Sequence, residues 1–248
     1  MPSNLEIALA AGKVALSTWA SLRNKNNNVL SSVGRDIKLT NDIVLQRAIV
    51  EAISQRSNLP ILAEEANAFV PEKNSLTWIV DPLDGTYNCH RGIPFFSTSI
   101  ALCRGLDPII GVVVDLPHER IIVGEVGRGC RDNNLDTKVS NTQNINESIL
   151  STGFPIAAEF SEFALSRYIE MIRNFKKIRM LGSAALALAY VATGQVDAYY
   201  EQNSNVWDVA AGIALVKSAG GRVHIRTDDL NPLRVSVTAD NGRINFQT

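Results

Sequence analysis

The stretch Trp78-Ile-Val-Asp-Pro-Leu-Asp-Gly-Thr-Tyr-Asn88 joins an apolar run to two aspartates, a glycine and a threonine. The run from Thr77 to Val80 predicts a buried β-strand, with the aspartates at its end. Pro82 has a fixed φ angle and no N–H, so we expect the strand to stop there. Gly85 lets the backbone approach a ligand closely, and the N–H groups after it can face an anion. Because hard cations such as Mg²⁺ prefer carboxylate oxygens, the stretch predicts a metal-assisted phosphate site.

The composition is that of a globular chain with a substantial core. The 248 residues suffice for one large domain or two small ones, and 46% of them are hydrophobic. The formal net charge is -1, so bulk electrostatics gives no reason to expect nucleic acid or an anionic membrane as a partner.

Neither a targeting signal nor a cysteine framework is apparent in the sequence. No uninterrupted apolar run reaches about 18 residues, so we expect no membrane-spanning helix. The segment Met1-Pro-Ser-Asn-Leu-Glu6 lacks the basic and apolar regions of a secretory signal. Cys89, Cys103 and Cys130 have neither zinc-site nor disulfide-framework spacing. These features favour a cytoplasmic protein.

Hydrophobic periodicity predicts two closely packed halves, 1–140 and 141–248, which join near residues 137–148. The first half is expected to hold one helix at 3 to about 24, where Ser3 and Glu6 have capping-box spacing, and another at 42–55, with Thr40 or Asn41 as its cap. A polar break at 24–28 separates them. Strands are expected at 60–63 and 77–80, and an antiparallel meander at 96–102, 108–114 and 121–125. The second half is expected to alternate helices at 160–174, 183–192 and 209–219 with strands at 178–181, 196–200, 223–225 and 233–238.

Acidic residues stand at the predicted ends of several separate elements. They are Asp36 with Asp42, Glu64 with Glu65, Asp81 with Asp84, and Asp208 after Trp207. Each cluster alone has an ordinary explanation as a helix start, a solvated loop pair or a turn. Their joint occurrence with Gly85 and Thr86 favours one shared site, and charge so concentrated is tolerated only when cations are present.

Several motifs make the sequence similar to the inositol monophosphatase family of Mg²⁺-dependent, lithium-sensitive phosphatases. The stretch Trp78 to Asn88, with Gly92-Ile-Pro94 and Ser99-Ile-Ala-Leu102, resembles the first family signature. Val206-Trp-Asp-Val-Ala-Ala-Gly212, with Ala219-Gly-Gly221 after it, resembles the second. Leu62-Ala-Glu-Glu65 and the segment from Asp36 to Asp42 also match, so the resemblance covers essentially the whole chain.

The resemblance implies an α+β fold, a layered α-β-α-β-α sandwich of the sugar phosphatase type with mixed, largely antiparallel sheets. It also implies two to three Mg²⁺ ions, with Mn²⁺ as a possible replacement. Glu64, Asp81 and the carbonyl of Leu83 would hold the first ion. Asp81, Asp84 and Asp208 would hold the second, and a weaker third ion would lie near Glu64.

Catalytic roles follow from the same resemblance. Thr86 would orient the attacking water, with Asp42 in support and Glu64 at the first ion, and the N–H groups of Gly85 and Thr86 would stabilise phosphate oxygens. Thr86 could instead be a helix cap.

Substrate recognition has alternatives too. Glu201 matches a position that contacts a sugar or inositol hydroxyl. Ser183 could cap a helix or touch substrate, with the cap favoured. The segment Gln202-Asn-Ser-Asn205 could bind a polyol or be a surface loop.

The sequence departs from the family pattern upstream of Asp36, where Ser31 or Ser32 replaces a customary lysine, although Lys38 lies nearby. This difference puts the third metal site in doubt. The leading hypothesis is a phosphomonoesterase for a small polyol or sugar phosphate, with inositol monophosphate as default and a homodimer as the expected assembly. The alternatives are a phosphatase for a 3'-phosphoadenosine nucleotide, fructose 1,6-bisphosphate or histidinol phosphate, and a non-catalytic regulatory protein on the same fold.

Overall fold

The structure is a computed structural model that describes residues 2–23, 27–34, 36–66, 68–154 and 159–246. Part of the predicted polar break at 24–28 and the side chain of Asp36 lie outside the described residues.

Two helices and a hairpin form the N-terminal part. Helix α1 spans Asn4–Leu22, and its N-cap Ser3 forms the predicted capping box with Glu6. Strands β1 (Val29–Val33) and β2 (Asp36–Leu39) form an antiparallel hairpin that the periodicity did not reveal. Helix α2 spans Thr40–Ser54. Its N-cap is Leu39, and the prediction of Thr40 or Asn41 as cap is wrong.

A seven-stranded sheet follows along the chain. Its strands are β3 (Ile61–Ala63), β4 (Leu76–Asp84), β5 (Ser97–Arg104), β6 (Asp107–Asp115), β7 (Arg120–Glu125), β8 (Gly129–Asp132) and β9 (Leu135–Thr137), and the short helix α3 (Thr86–His90) follows β4. The strands lie in chain order. Only the β3–β4 pair is parallel, so the predicted antiparallel meander is confirmed.

Strand β4 does not stop at Pro82, and that prediction is wrong. The strand continues to Asp84, and its pairing with β5 is irregular between Asp81 and Asp84. The pairing with β3 ends at Val80, so the missing N–H of Pro82 interrupts no ladder on that side. The carbonyl of Pro82 accepts a hydrogen bond of 2.8 Å from Thr98 Oγ1. A β-bulge of this kind changes the direction of side chains, here the two aspartates.

The second sheet has five strands. Its elements are β10 (Ile149–Thr152), helix α4 (Glu162–Ile172), β11 (Lys177–Arg179), helix α5 (Ala184–Ala192), β12 (Ala198–Asn205), helix α6 (Val206–Ser218), β13 (Arg222–Thr227) and β14 (Arg234–Asp240). The strand order is β11-β10-β12-β14-β13. Strand β12 is longer than the predicted 196–200. It includes the polar segment Gln202-Asn-Ser-Asn205, for which the sequence allows either a polyol site or a surface loop.

Helices and sheets stack in five layers. Helices α1 and α2 pack on one face of the seven-stranded sheet, and α5 and α6 pack between the two sheets. Met171 and Ile172 of α4 pack on the outer face of the second sheet. A Cβ on Gly111 of β6 would lie 2.2 Å from the carbonyl oxygen of Ala211, so this glycine allows α6 to reach the sheet. The predicted α-β-α-β-α sandwich is confirmed.

The layered cores span both predicted halves. One core cluster contains Leu62 and Ile79 from the first sheet together with Val235 and Val237 from the second. The division at residue 140 therefore stays a prediction. The three cysteines are free thiols, as expected.

By length and composition alone, α1 is the one helix in the described part of the chain that could cross a membrane. Its buried residues, which include Ala8, Ala11 and Ala15, belong to the core cluster that it shares with β4, β5 and β6. This packing favours a core helix.

Candidate active site

The predicted acidic residues converge on one cavity of about 290 Å³ between the two sheets. The predicted site residues that line it are Glu64, Asp81, Leu83, Asp84, Gly85, Thr86, Ser183, Glu201 and Asp208. Asp42 is absent from the lining and lies directly behind Thr86. Two larger cavities, of about 610 and 540 Å³, lie elsewhere. This site is therefore identified by its converging carboxylates and not by the volume of its cavity. We call this cavity the acidic pocket.

Asp84 is held by the N-terminus of α5. Its carboxylate accepts hydrogen bonds from the Ser183 hydroxyl at 2.5 Å and from the N–H groups of Ala184 and Ala185 at 3.3 and 2.8 Å. A helix N-terminus stabilises negative charge, so α5 fixes this carboxylate from behind. Ser183 is also the N-cap of α5, because its Oγ accepts the N–H of Leu186 at 3.3 Å.

Asp42 and Asp208 occupy equivalent positions on two helices. Each is the third residue of its helix, α2 or α6, and each accepts the N–H of the N-cap residue: Leu39 at 2.5 Å and Asn205 at 3.0 Å. Both aspartates therefore have the ordinary role of an acidic residue that stabilises the first turn of a helix. This does not exclude a site role, because Asp208 lines the acidic pocket and the second oxygen of Asp42 faces the Thr86 hydroxyl.

Glu64 and Asp81 come from neighbouring strands of the first sheet. Glu64 follows β3, and after burial the charge of its carboxylate is the next cause of the raised pKa of Asp81 on β4. A hydrogen bond orients Asp81, whose Oδ1 accepts the N–H of Leu83 at 2.9 Å.

The electrostatics of the acidic pocket raise every one of these pKa values. Burial first, and then repulsion from neighbouring carboxylates, raises the pKa of Asp81 and Asp208 well above the usual range. Burial raises the pKa of Glu64 to about 8. Burial also raises the pKa of Asp84, to about 6, and the hydrogen bonds from Ser183 and α5 oppose that rise. The ionised pocket is therefore unfavourable without a counter-charge.

Thr86 lies between the carbonyl of Leu83 and the carboxylate of Asp42. Its hydroxyl donates to the Leu83 oxygen at 2.7 Å and lies 3.3 Å from Asp42 Oδ1. The N-cap of α3 is Gly85, at φ 87°, so Thr86 is not the cap. Burial raises the pKa of Asp42 to about 7. The arrangement places a hydroxyl beside a carboxylate that can accept its proton.

Gly85 lines the acidic pocket, so its predicted close approach to a ligand stays a prediction, and its protein neighbours give a second reason for glycine. A Cβ at this position would lie 2.9 Å from the carbonyl oxygen of Phe95 and 3.0 Å from that of Gly182. The backbone conformation and these neighbouring carbonyls therefore already require glycine.

Glu201 enters the acidic pocket from β12. Burial raises its pKa to about 7, while the hydrogen bond from the Ser204 hydroxyl, at 3.1 Å, opposes the rise. A Cβ on Gly153 would lie 2.4 Å from Glu201 Oε1, so Gly153 makes room for this side chain.

Sequence reasoning missed Gly153 and Arg234, which also line the pocket, whereas Asn203 and Asn205 belong to the segment that it offered as a polyol site. Asn203 has φ 59° at the irregularity of β12, and its carbonyl accepts a bond of 3.1 Å from Arg234 Nη1. An isolated glycine and a polar strand residue gave no distinguishing sequence signal.

The donor set fits a hard divalent cation. Four carboxylates and a peptide carbonyl are the oxygen ligands that such cations take, and a cation would relieve the repulsion that raises the pKa values. Within the described ranges, no three Asp, Glu, His or Cys side chains already form a group that could hold an ion. Closing a ligand shell therefore requires the carboxylates to rotate toward the cation.

Comparisons with known proteins agree with this fold. A profile described as the inositol monophosphatase family matches residues 3–246. The chain is 33% identical over 229 residues to "Nus factor SuhB" of Pasteurella multocida, covering 88% of this chain and 84% of that one. It is 35% identical over 225 residues to "Fructose-1,6-bisphosphatase/inositol-1-monophosphatase" of Thermotoga maritima, covering 89% and 82%.

A solved structure is similar over nearly its full length. The extragenic suppressor protein suhB of Bartonella henselae superposes with a TM-score of 0.82 at 29% identity, covering 97% of this chain and 95% of that one. The fold is thus the layered α+β sandwich of that solved structure. The chain belongs to the inositol monophosphatase family.

Proposed function

We propose that this protein is a Mg²⁺-dependent phosphomonoesterase that acts on a small polyol or sugar phosphate, with inositol monophosphate as the default substrate. One observation carries the proposal: Glu64, Asp81, Asp84 and Asp208 converge on a single pocket beside Thr86. Their raised pKa values mean that the ionised pocket needs a counter-charge, and divalent cations that supply this charge can also promote hydrolysis of a phosphate ester.

The metal ligands in this proposal are Glu64, Asp81, Asp84 and Asp208, with the Leu83 carbonyl. When bound, two Mg²⁺ ions supply a clamp for the phosphate, an activated water and charge stabilisation of the leaving oxygen. Mn²⁺ could take the same oxygen ligands.

Thr86 and Asp42 position the attacking water in this proposal. The Thr86 hydroxyl accepts a hydrogen bond from the water and passes its own proton toward Asp42 Oδ1, which lies 3.3 Å away. This needs a small rotation, because the hydroxyl also donates to Leu83. The N–H groups of Gly85 and Thr86, at the start of α3, would bind phosphate oxygens.

Polyol recognition is assigned to Glu201 in this proposal, since a partly buried carboxylate in the pocket can accept hydrogen bonds from hydroxyl groups. A substrate role for Ser183 has less support, because its hydroxyl is already bonded to Asp84. A pocket of about 290 Å³ suits a compact monophosphate better than a nucleotide.

The test is phosphate release from a panel of esters, with Mg²⁺ and with EDTA. The panel holds inositol 1-phosphate, glucose 1-phosphate, fructose 1,6-bisphosphate, 3'-phosphoadenosine 5'-phosphate and histidinol phosphate. One preferred substrate whose hydrolysis EDTA abolishes supports the proposal and selects among the alternatives. Lithium inhibition and a homodimer remain predictions, testable by Li⁺ titration of that assay and by light scattering.

A regulatory function is the second candidate. Relatives such as that of Pasteurella multocida are named as a factor and not as an enzyme. No phosphate release from any ester, together with retained Mg²⁺ binding by calorimetry, would favour this candidate.

A further inference from the structure

A second cavity lies on the face of the five-stranded sheet that turns away from α5 and α6. Its volume is about 540 Å³, within the range of roughly 300–1,000 Å³ that is usual for small-molecule sites. Side chains alternate along a strand. Val235 and Val237 of β14 therefore enter the core, while Ser236 and Thr238 line this cavity. We call it the cationic cavity.

The register of the strands places basic and hydroxyl groups side by side. Thr238 pairs with Tyr200 of β12 on one side and with His224 of β13 on the other. Two residues before Thr238 on β14, Ser236 pairs with Arg226 of β13. The floor of the cavity is therefore a patch of hydroxyl donors bordered by basic side chains.

Two arginines from separate elements approach the same phenol. Burial raises the pKa of Tyr200, and the nearby guanidinium groups of Arg167 on α4 and Arg226 on β13 oppose that rise. His224 adds a third group that can carry positive charge.

Neither arginine is part of a salt bridge in the part of the chain that the structure describes. No aspartate or glutamate is found in the described lining of the cavity. Glu159 and Glu170 line the neighbouring cavity of about 610 Å³, which Arg167 also lines. The cationic cavity thus has the opposite charge to the acidic pocket.

We propose that the cationic cavity is a second binding site, specific for a phosphate-bearing small molecule. The guanidinium groups of Arg167 and Arg226 bind phosphate oxygens, because a planar fork of N–H donors matches phosphate geometry. The hydroxyl groups of Tyr200 and Ser236 donate to the remaining oxygens. This site is separate from the proposed phosphatase chemistry.

The two cavities share a wall. The N–H of Asn203, which lines the acidic pocket, donates to Ser236 Oγ at 3.3 Å, and Ser236 lines the cationic cavity. A ligand that bonds to Ser236 therefore contacts a hydroxyl group that is already hydrogen-bonded to the β12 segment that carries Glu201.

The test uses pyrophosphate as the probe, titrated calorimetrically into the full chain in EDTA. Without divalent cations the acidic pocket repels the anion, so binding reports on the cationic cavity. We expect one pyrophosphate per chain, and we expect Arg167→Gln and Arg226→Gln each to weaken binding by roughly tenfold, as for loss of a charge-assisted bond.

Arg104→Gln is the matched control. Arg104 is exposed at the end of β5 and lines neither cavity, so its loss removes the same charge and should leave pyrophosphate affinity unchanged. Asp81→Asn should also bind pyrophosphate as the wild type does, which separates this proposal from the phosphatase test. Absence of binding to the wild type, or equal weakening by all three arginine variants, would overturn the proposal.

Discussion

The ammonium group of Lys38 forms an ion pair with the carboxylate of Glu65 at the edge of the acidic pocket. The two side chains are 32% and 12% exposed, so solvent only partly screens the pair. Burial is the main cause of the raised pKa values of Asp42 and Glu64, and the charge of Glu65 adds to it. Lys38 therefore neutralises one of the negative charges that surround the pocket.

Charge balance then predicts the number of metal ions. With Glu65 paired to Lys38, the four carboxylates proposed as metal ligands, on Glu64, Asp81, Asp84 and Asp208, match the charge of two divalent cations. We expect calorimetry to find two Mg²⁺ per chain.

Lys38→Met should strengthen Mg²⁺ binding, because it leaves Glu65 unpaired beside Glu64. An exposed or half-exposed ion pair is worth up to about 1 kcal/mol, which corresponds to roughly fivefold in affinity. Lys13→Met, at an exposed position on α1, is the control. Identical Mg²⁺ isotherms for both variants would argue against a role for Lys38 as counter-ion.

Thr86→Ala should lower kcat by roughly 10²- to 10⁴-fold, the usual contribution of a positioned proton-transfer group. KM should change little, because the substrate phosphate would still contact the cations and the backbone. Thr86→Ser keeps the hydroxyl that bonds to Leu83 and faces Asp42, so it should recover most of the rate. A serine variant as slow as the alanine variant would indicate that the methyl group, and not the hydroxyl, matters.

Stability without metal should fall as pH rises. The pKa values of Glu64 and Asp84 are about 8 and about 6, raised by burial first, so the folded chain binds more protons than the unfolded chain above about pH 4. The free energy of unfolding therefore decreases as pH rises through both values.

Mg²⁺ should reverse this loss because it stabilises the ionised carboxylates. We expect the rise in Tm on replacing EDTA with Mg²⁺ to be larger at about pH 8.5 than at about pH 5.5. Because each rise in Tm compares EDTA with Mg²⁺ at the same pH, the titration of groups outside the pocket contributes equally to both Tm values and cancels. An equal rise at both values would contradict the assignment of the raised pKa values to the metal site.

Gly111→Ala should destabilise the fold more than Gly124→Ala. The new Cβ would lie 2.2 Å from the backbone oxygen of Ala211, which cannot move without displacing α6. At Gly124 the nearest atom, at 2.1 Å, is the side-chain oxygen of Ser218, which can rotate away. Overpacking of this kind costs roughly 1–3 kcal/mol at Gly111, measurable by urea unfolding. Equal losses would mean that α6 is not held against the sheet at Gly111.

Most helices and strands of the layers could be predicted, because each is encoded by the hydrophobic pattern of a short stretch of sequence. The capping box at Ser3, the meander of β5 to β7 and the apolar α5 helix all follow from short periodic segments. The β1–β2 hairpin was missed because all five residues of β1 are exposed, so burial imposes no alternation on it.

The site was predictable in its residues and not in its geometry. Proline suggested a strand end at residue 82, whereas the parallel neighbour ends two residues earlier and the bulge accommodates Pro82. The bond from Ser183 to Asp84 and the space beside Glu201 at Gly153 join residues far apart in sequence. Such contacts depend on how the two sheets meet, and no local signal encodes them.

The central claim is that the carboxylates of the acidic pocket hold the cations that hydrolyse a phosphate ester. The most direct test is Mg²⁺-dependent phosphate release by Asp81→Asn beside Asp136→Asn, which neutralises an exposed aspartate outside the pocket. The account predicts that Asp81→Asn loses turnover and Mg²⁺ binding while keeping its circular dichroism, and that Asp136→Asn behaves as the wild type. Full activity in the folded Asp81→Asn variant would contradict it.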